Sequence, residues 1–382
     1  MTACSWSLAR QLAAHAADPV PSRRIPLSQV NGAVLAEDAV ALSDLPQADT
    51  SAMDGWAVAG PPPWRLADGA VLAGQRPPRL LPAEATAIAT GAMVPAGADG
   101  VLRREHGLIH DHLLHACDPA AAAGVAADVR RAGRECAAGE VVLPEGARLG
   151  PVAIGLLAAA GYDAIEVRHP SADLLVLGDE LLGAGPARQG RLRDALGPML
   201  TAWLPALGLL IGSRRHVPDE IGALELAVRG CLSDVVITTG STARGPVDHL
   251  HALLEAIGAR LVIDGVAVRP GHPQLLALLP DGRPLVGLPG NPLAAVSGLL
   301  TLLEPVAATL AGAPAAPTTT GTLVQTVPAG ADATRLVPVK AGRPVLFAGP
   351  AMLRGLALAD HVAVVPPGGA TAGSQVQLLQ LP

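Results

Sequence analysis

The rhythm of apolar and polar positions changes several times along the chain, and the changes mark its parts. Residues 5–17 space their apolar side chains as a short amphipathic helix does. Residues 28–38 (SQVNGAVLAED) read as a helix or turn leading into an extended segment. Between 45 and 143 short alternating strands are separated by Gly/Pro turns, as at 60–63 and 97–100, which predicts a small β domain. Helical spacing returns at 149–160. From 172 onward the pattern is different. Residues 172–178 (ADLLVLG) and 234–240 (DVVITTG) are apolar runs ending in glycine. Residues 260–268 are extended and 283–288 form a short strand. Helical stretches lie at 191–207, 249–257 and 292–310, the last long and almost wholly apolar. Strands alternating with helices predict a parallel sheet flanked by helices. Residues 311–317 (AGAPAAP) form a linker, and 318–382 alternate as strands. The organisation expected is a multi-domain α/β chain: an N-terminal helical or linker domain from 1–44 and 144–171, a small β domain at 45–143, a parallel α/β domain at 172–312 and a C-terminal β domain at 318–382.

Composition narrows the function. A chain of 382 residues suits two to four domains. Half of it is hydrophobic and 16% is charged, which excludes a largely disordered chain. Only 2% is aromatic, so Ala, Leu and Val must do the packing. A net charge of −6 and so few aromatics argue against a nucleic-acid partner. Lys340 is the sole lysine, so chemistry needing a Schiff-base or phosphate-loop lysine has one donor, in the wrong context. Cys4, Cys117, Cys136 and Cys231 are scattered with no CxxC pair, which disfavours a zinc ribbon or disulfide framework and suits a reducing cytoplasm. The N-terminus has no signal-peptide pattern, and the apolar stretches at 151–164 and 292–311 are interrupted by polar residues or proline, so no membrane association is expected.

In open α/β sheets ligands bind beyond the carboxyl ends of the strands. Three strand-to-loop transitions fall there: Gly178, Asp179 and Glu180; Thr239, Gly240 and Ser241 through Arg244 and Gly245; and Pro289, Gly290, Asn291 and Pro292. Glycines let a backbone approach a ligand closely. Asn291 and Pro292 form a favourable N-cap and first-turn pair, whose free N–H groups suit an anion. Carboxylates accompany these loops at Asp179, Glu180 and Asp248, and Asp54 sits in an apolar stretch beside Gly55. Hard oxygen donors of this kind suit Mg²⁺ with phosphate oxygens. GxxxxGK[ST], HExxH and GxSxG are all absent. The histidines of HDHLLH at 110–115 read as a solvated hairpin before they read as a metal site.

Together several segments resemble one family, the molybdopterin molybdenumtransferases, the MoeA and gephyrin E-domain group. They are VLAED at 34–38, SAMDGWA at 51–57, ATGA at 89–92, Ala132-Gly133 with Gly139-Glu140, GARLGPVAIGLL at 146–157, GDEL at 178–181, DVVIT at 234–238, Pro270-Gly271 and LPGNP at 288–292. The resemblance implies an elongated homodimer whose α/β domain is MogA-like, similar to the molybdopterin adenylyltransferase that precedes it. It implies insertion of molybdate into adenylylated molybdopterin with release of AMP, Mg²⁺ as the divalent cation, and molybdoenzymes as downstream partners. By the same resemblance Asp54, Glu180, Asp248 and Glu135 are the catalytic candidates, with Asp248 and Glu180 as metal ligands. Thr90, Asp194, Arg269 and His272 join the loop residues in binding substrate. The pattern departs from the family at several ligand-facing positions. The loop usually written GGxSxG is GSTARG at 240–245, the usual KPGKP is RPGHP at 269–273, Asp-Ser-Asn becomes Asp194-Ala-Leu196, Gly-Glu-Asp becomes Gly133-Arg134-Glu135, and Leu293-Ala294 replaces the serine after PGNP. Three roles follow: an active insertase, a degenerate paralogue that carries molybdopterin or finished cofactor, or a partner-binding scaffold.

Overall fold

The computed structural model describes residues 3–243, 249–315 and 317–382. Packing divides the chain into two compact units, one of Met1–Glu37, Glu145–Gly150 and Ala164–Pro382, the other of Asp38–Pro144 and Pro151–Asp163.

The first unit is built on a six-stranded sheet ordered Leu210–Val217, Ser171–Leu177, Val235–Thr239, Pro284–Leu288, Leu275–Leu278 and Arg260–Asp264. The first four strands are parallel. Leu275–Leu278 runs antiparallel to both its neighbours. The sheet is therefore parallel at its centre and mixed at one edge. The reason is local: Gly282 takes a φ of +87° in a tight turn closed by the Leu279–Arg283 and Gly282–Leu279 backbone bonds, and so short a link can only join antiparallel strands.

Alternating side chains send the sheet's two faces into two cores. Leu174, Val176, Val235, Ile237, Val286 and Leu288 pack against the helices Leu196–Trp203 and Pro292–Ala311. Leu175, Leu177, Val236, Ala277 and Leu285 pack against Ile221–Arg229 and Leu250–Ala256. Both faces are covered, which is why these strands read as continuous apolar runs. Pro292–Ala311 is buried nearly all round and carries a π-helical turn at Leu299–Leu303. Among the described residues it alone has the length and apolarity of a membrane span, and it forms the core of this domain. The helix Trp6–Ala13 packs on it. Ser5 caps that helix by accepting from the Leu8 N–H, and the Trp6 indole donates to Thr301 Oγ1 at 3.1 Å.

A seven-stranded second sheet joins the N-terminus, the α/β domain and the C-terminal region: Cys4–Ser5, Val266–Arg269, Thr334–Lys340, His361–Val365, Gln375–Gln380 and Thr319–Thr322, with Arg343–Pro344 beside Thr334–Lys340. The extended run expected at 260–268 is thus two strands in two sheets. Gly265, at φ +83°, supplies the break. A three-stranded sheet of Arg23–Pro26, Ala164–Arg168 and Val34–Leu35 completes the unit.

The second unit holds a six-stranded sheet ordered Gly107–His110, Leu113–Ala116, Trp64–Val71, Glu84–Ile88, Gly55–Val58 and Gly100–Arg103. Two short ribbons and the helix Pro151–Ala159 accompany it. Residues 110–115 fall in its first hairpin, whose turn is Asp111-His112 with both residues at positive φ.

Trp6→Ala removes a nearly buried indole and its bond to Thr301. The Thr301 hydroxyl keeps its bond to the Ser297 carbonyl, so the loss is mainly packing: the first unit is expected to be destabilised by about 3–5 kcal/mol, measured as a fall in its urea midpoint, whereas Thr301→Val, which leaves the indole N–H without its acceptor, should cost about 1–3 kcal/mol.

Candidate active site

Three loops leave the carboxyl ends of the central parallel strands Ser171–Leu177, Val235–Thr239 and Pro284–Leu288. They surround a cavity of about 810 Å³. Of the residues singled out by sequence, Gly178, Glu180, Asp194, Thr239, Gly240, Ser241, Pro289, Gly290, Asn291 and Pro292 line it. Pro273, from the RPGHP segment, lines it too, as do Arg193, Asp219, Ala351 and Leu353, which no sequence motif marks.

Each loop has a local reason for its shape. Gly178 sits at φ +135°, and a Cβ there would lie 2.6 Å from Glu180 Oε2, so only glycine lets Glu180 fold back over the strand end. The Gly178 carbonyl accepts from His216 Nε2 at 2.8 Å. Asp179 is exposed and is held by its backbone: its N–H donates to Asp219 Oδ2 at 3.1 Å, and its carbonyl accepts from Arg191 at 3.0 Å. Asp194 is buried, with one oxygen accepting from the Gly197 N–H at 2.8 Å and the other paired with Arg214 at 2.7 Å. It orients the helix start and the cavity wall. In the second loop Gly240 and Ser241 both take positive φ, and Ser241 Oγ accepts from the His249 N–H at 2.7 Å. Arg244, Gly245 and Asp248 lie outside the described residues.

Asn291 and Pro292 begin the long helix as expected, but the side chain of Asn291 makes no cap bond. The first N–H groups are not free. Leu293 and Ala294 both donate to the carbonyl of Pro350, at 2.9 and 3.3 Å. A segment of the C-terminal domain takes the place that sequence reasoning left for an anion.

A second cavity of about 430 Å³ shares Pro273, Pro289 and Asn291 with the first. Arg269 and His272 line it, together with Arg335. Parallel pairing of Val266–Arg269 with Thr334–Lys340 sets Arg269 beside Arg335. His272 Nδ1 donates to the Val266 carbonyl at 2.8 Å, which fixes the ring. Both arginines are exposed, and Arg335 also donates to the Pro328 carbonyl at 2.7 Å; two cations beside one cavity suit an oxyanion.

The remaining candidates belong to the second unit. Asp54 Oδ1 accepts from both the backbone N–H and the hydroxyl of Thr90, at 2.7 and 2.8 Å. These bonds, with a smaller contribution from Arg104, hold the carboxyl below the usual aspartate range. Buried Ser51 shapes the turn before it, donating to the Met53 carbonyl and accepting from the Met53 N–H. Glu135 is exposed, its N–H bonded to the Leu45 carbonyl.

Glycine loops on parallel strand ends, an ample cavity and a neighbouring cationic pocket define a binding protein for a large anionic ligand in the α/β class. Residues 173–309 match the family model described as "Probable molybdopterin binding domain", and residues 4–161 match "MoeA N-terminal region (domain I and II)". The chain is 32% identical over 306 residues to the molybdopterin molybdenumtransferase of Synechococcus elongatus, covering 75% of each. It is 31% identical over 314 residues to that of Staphylococcus aureus, covering 77% of this chain and 73% of the relative. In fold it is similar to the molybdopterin biosynthesis moeA protein of Pyrococcus horikoshii, with a TM-score of 0.78 at 20% identity over 100% of both chains. The chain belongs to the MoeA family of molybdopterin molybdenumtransferases.

Asp54 has a depressed folded-state pKa, so its hydrogen-bonded, ionised form persists to pH values below the ordinary aspartate range; the stability it contributes is fully present above that range and is lost as pH falls through the lowered value. Thr90→Val removes one of the two bonds and is expected to raise that value toward the ordinary range, seen in a carbon-detected carboxylate titration.

Proposed function

We propose that this protein acts in molybdenum cofactor biosynthesis as a transferase, inserting molybdate into adenylylated molybdopterin and releasing AMP. The observation that carries this is the pair of adjoining cavities, one sized for a pterin nucleotide on three strand-end loops, the other lined by two arginines. In this reading the larger cavity holds the adenylylated pterin. The backbone of Gly240 and Gly290 allows close approach of its phosphates, and Arg193 supplies positive charge at the wall. Arg269 and Arg335 hold molybdate beside it. Placing both substrates in contact replaces a bimolecular encounter by a positioned one, and fixed charges stabilise the anion as the phosphoanhydride breaks.

The family's divalent cation has fitting donors. Glu180 and Asp219 both face the larger cavity, and Mg²⁺ takes one or two carboxylates with phosphate oxygens and waters. No cluster of three or more potential metal ligands occurs among the described residues, and Asp248 lies outside them. When bound, the cation would neutralise phosphate charge. The same reading extends to a cytoplasmic homodimer, with a molybdopterin adenylyltransferase upstream and molybdoenzymes downstream.

The test is AMP release from adenylylated molybdopterin by the purified chain, with and without molybdate and Mg²⁺. Molybdate-dependent release is expected. Tight pterin binding without release would instead mark a carrier. Arg335→Ala should raise the molybdate concentration needed for half-maximal release roughly tenfold or more, the scale of one charge-assisted hydrogen bond, while leaving AMP binding nearly unchanged.

A further inference from the structure

One loop contributes to the walls of both cavities. Ala348, Gly349 and Pro350 line the smaller cavity, and Ala351 and Leu353 line the larger. The loop is closed at its base by the Gly355 N–H donating to the Phe347 carbonyl at 3.2 Å, and by Arg354 lying 4.4 Å above the Phe347 ring. Gly355 is required there, because a Cβ would lie 2.3 Å from the Leu346 carbonyl oxygen. Phe347 takes a φ of +58°, a costly conformation for a bulky side chain. Ala348 and Leu353 pack on the core, whereas Pro350, Ala351 and Met352 are exposed at the tip.

At the tip, the Pro350 carbonyl receives the Leu293 and Ala294 N–H groups. A strained base, an exposed apolar tip and one bonded carbonyl describe a latch. The two cavities meet at Pro273, Pro289 and Asn291, directly where the helix begins and the latch lands.

We propose that residues 347–355 form a strap that closes the passage between the two cavities and swings off Leu293 and Ala294 to let an oxyanion pass from the Arg269 and Arg335 side to the ligand in the larger cavity. The strap keeps the two substrates apart until both are seated. The proposal rests on the function assigned above, and its test is separable from that function.

The test uses the full chain with Gly355→Val, which denies the strap its closed base. Hydrogen exchange followed by mass spectrometry first establishes that the variant has released the strap: residues 347–355 and 289–296 lose protection while the rest of the chain keeps it. Ala294→Cys then places a thiol beneath the strap, in the smaller cavity. Its labelling by a maleimide, mapped by mass so that the native cysteines do not interfere, is expected to be roughly tenfold faster in the Gly355→Val background, the scale of two backbone hydrogen bonds. Stopped-flow association of molybdate should quicken by a similar factor. Unchanged labelling and association with the strap released would overturn the proposal. If the chain releases no AMP under any condition but labelling remains strap-dependent, the function fails and the strap stands. If AMP release is intact and both rates ignore Gly355→Val, the strap alone fails.

Discussion

The parallel pairing of Val266–Arg269 with Thr334–Lys340 is the contact on which the candidate site depends. It makes one sheet out of the N-terminal strand, a strand leaving the α/β domain and the C-terminal region. Because the pairing is in register at Arg269 and Arg335, two cations from distant parts of the chain stand side by side. Because it anchors the C-terminal domain next to the α/β sheet, residues 348–353 can reach the start of the helix at Pro292. Gly265 makes the pairing possible. Its left-handed backbone turns the chain out of the first sheet after Asp264 and into the second at Val266.

The helix Pro292–Ala311 is the second fixed point. A helix buried on all sides cannot shift to suit a ligand without opening two cores. Its first turn is therefore a rigid floor, and movement is left to what rests on it. Trp6, Thr301 and Thr309 tie the N-terminal helix to the same element, the last through a 2.8 Å bond to the Ala14 carbonyl. Chain ends far apart in sequence thus brace the floor of one site. The strand-end loops sit on the other side of it, carried by strands whose every side chain is buried or nearly so.

What the sequence showed and what it hid separate along physical lines. Runs such as 172–178 and 234–240 are legible because strands buried on both faces are apolar throughout, and a terminal glycine marks the ligand side. The strand Leu210–Val217 and the helix Ile221–Arg229 carry no such mark. The first is an edge strand bearing Arg214, Arg215 and His216, with no clean alternation. Leu275–Leu278 is an apolar run of only four residues ahead of the polar turn at 280–283, too short to show a period of its own. In the site, Gly178 and the PGNP loop are readable from local chemistry. Asp219 and Arg335 are not, because each becomes relevant only through a neighbour far away in sequence: Asp179 for one, Arg269 for the other. Likewise the free helix end at Pro292 is a fair local deduction, and it is overruled by a carbonyl contributed from residue 350.

The departures from the family pattern take on a different weight once Arg335 is in place. Losing two lysines from the RPGHP segment would strip an anion pocket that drew its charge from that segment alone. Here two arginines stand in register on adjacent strands of one sheet, their backbone spacing set by the pairing. A guanidinium offers planar, paired donors, whereas an ammonium is a mobile point charge. His272, pinned through Nδ1 to the Val266 carbonyl, then serves as wall more than as counter-charge. Both arginine side chains are exposed, and Arg335 is also tied to the Pro328 carbonyl. Of the segments lining both cavities, the loop at 347–355 is the one that is exposed at its tip and strained at its base.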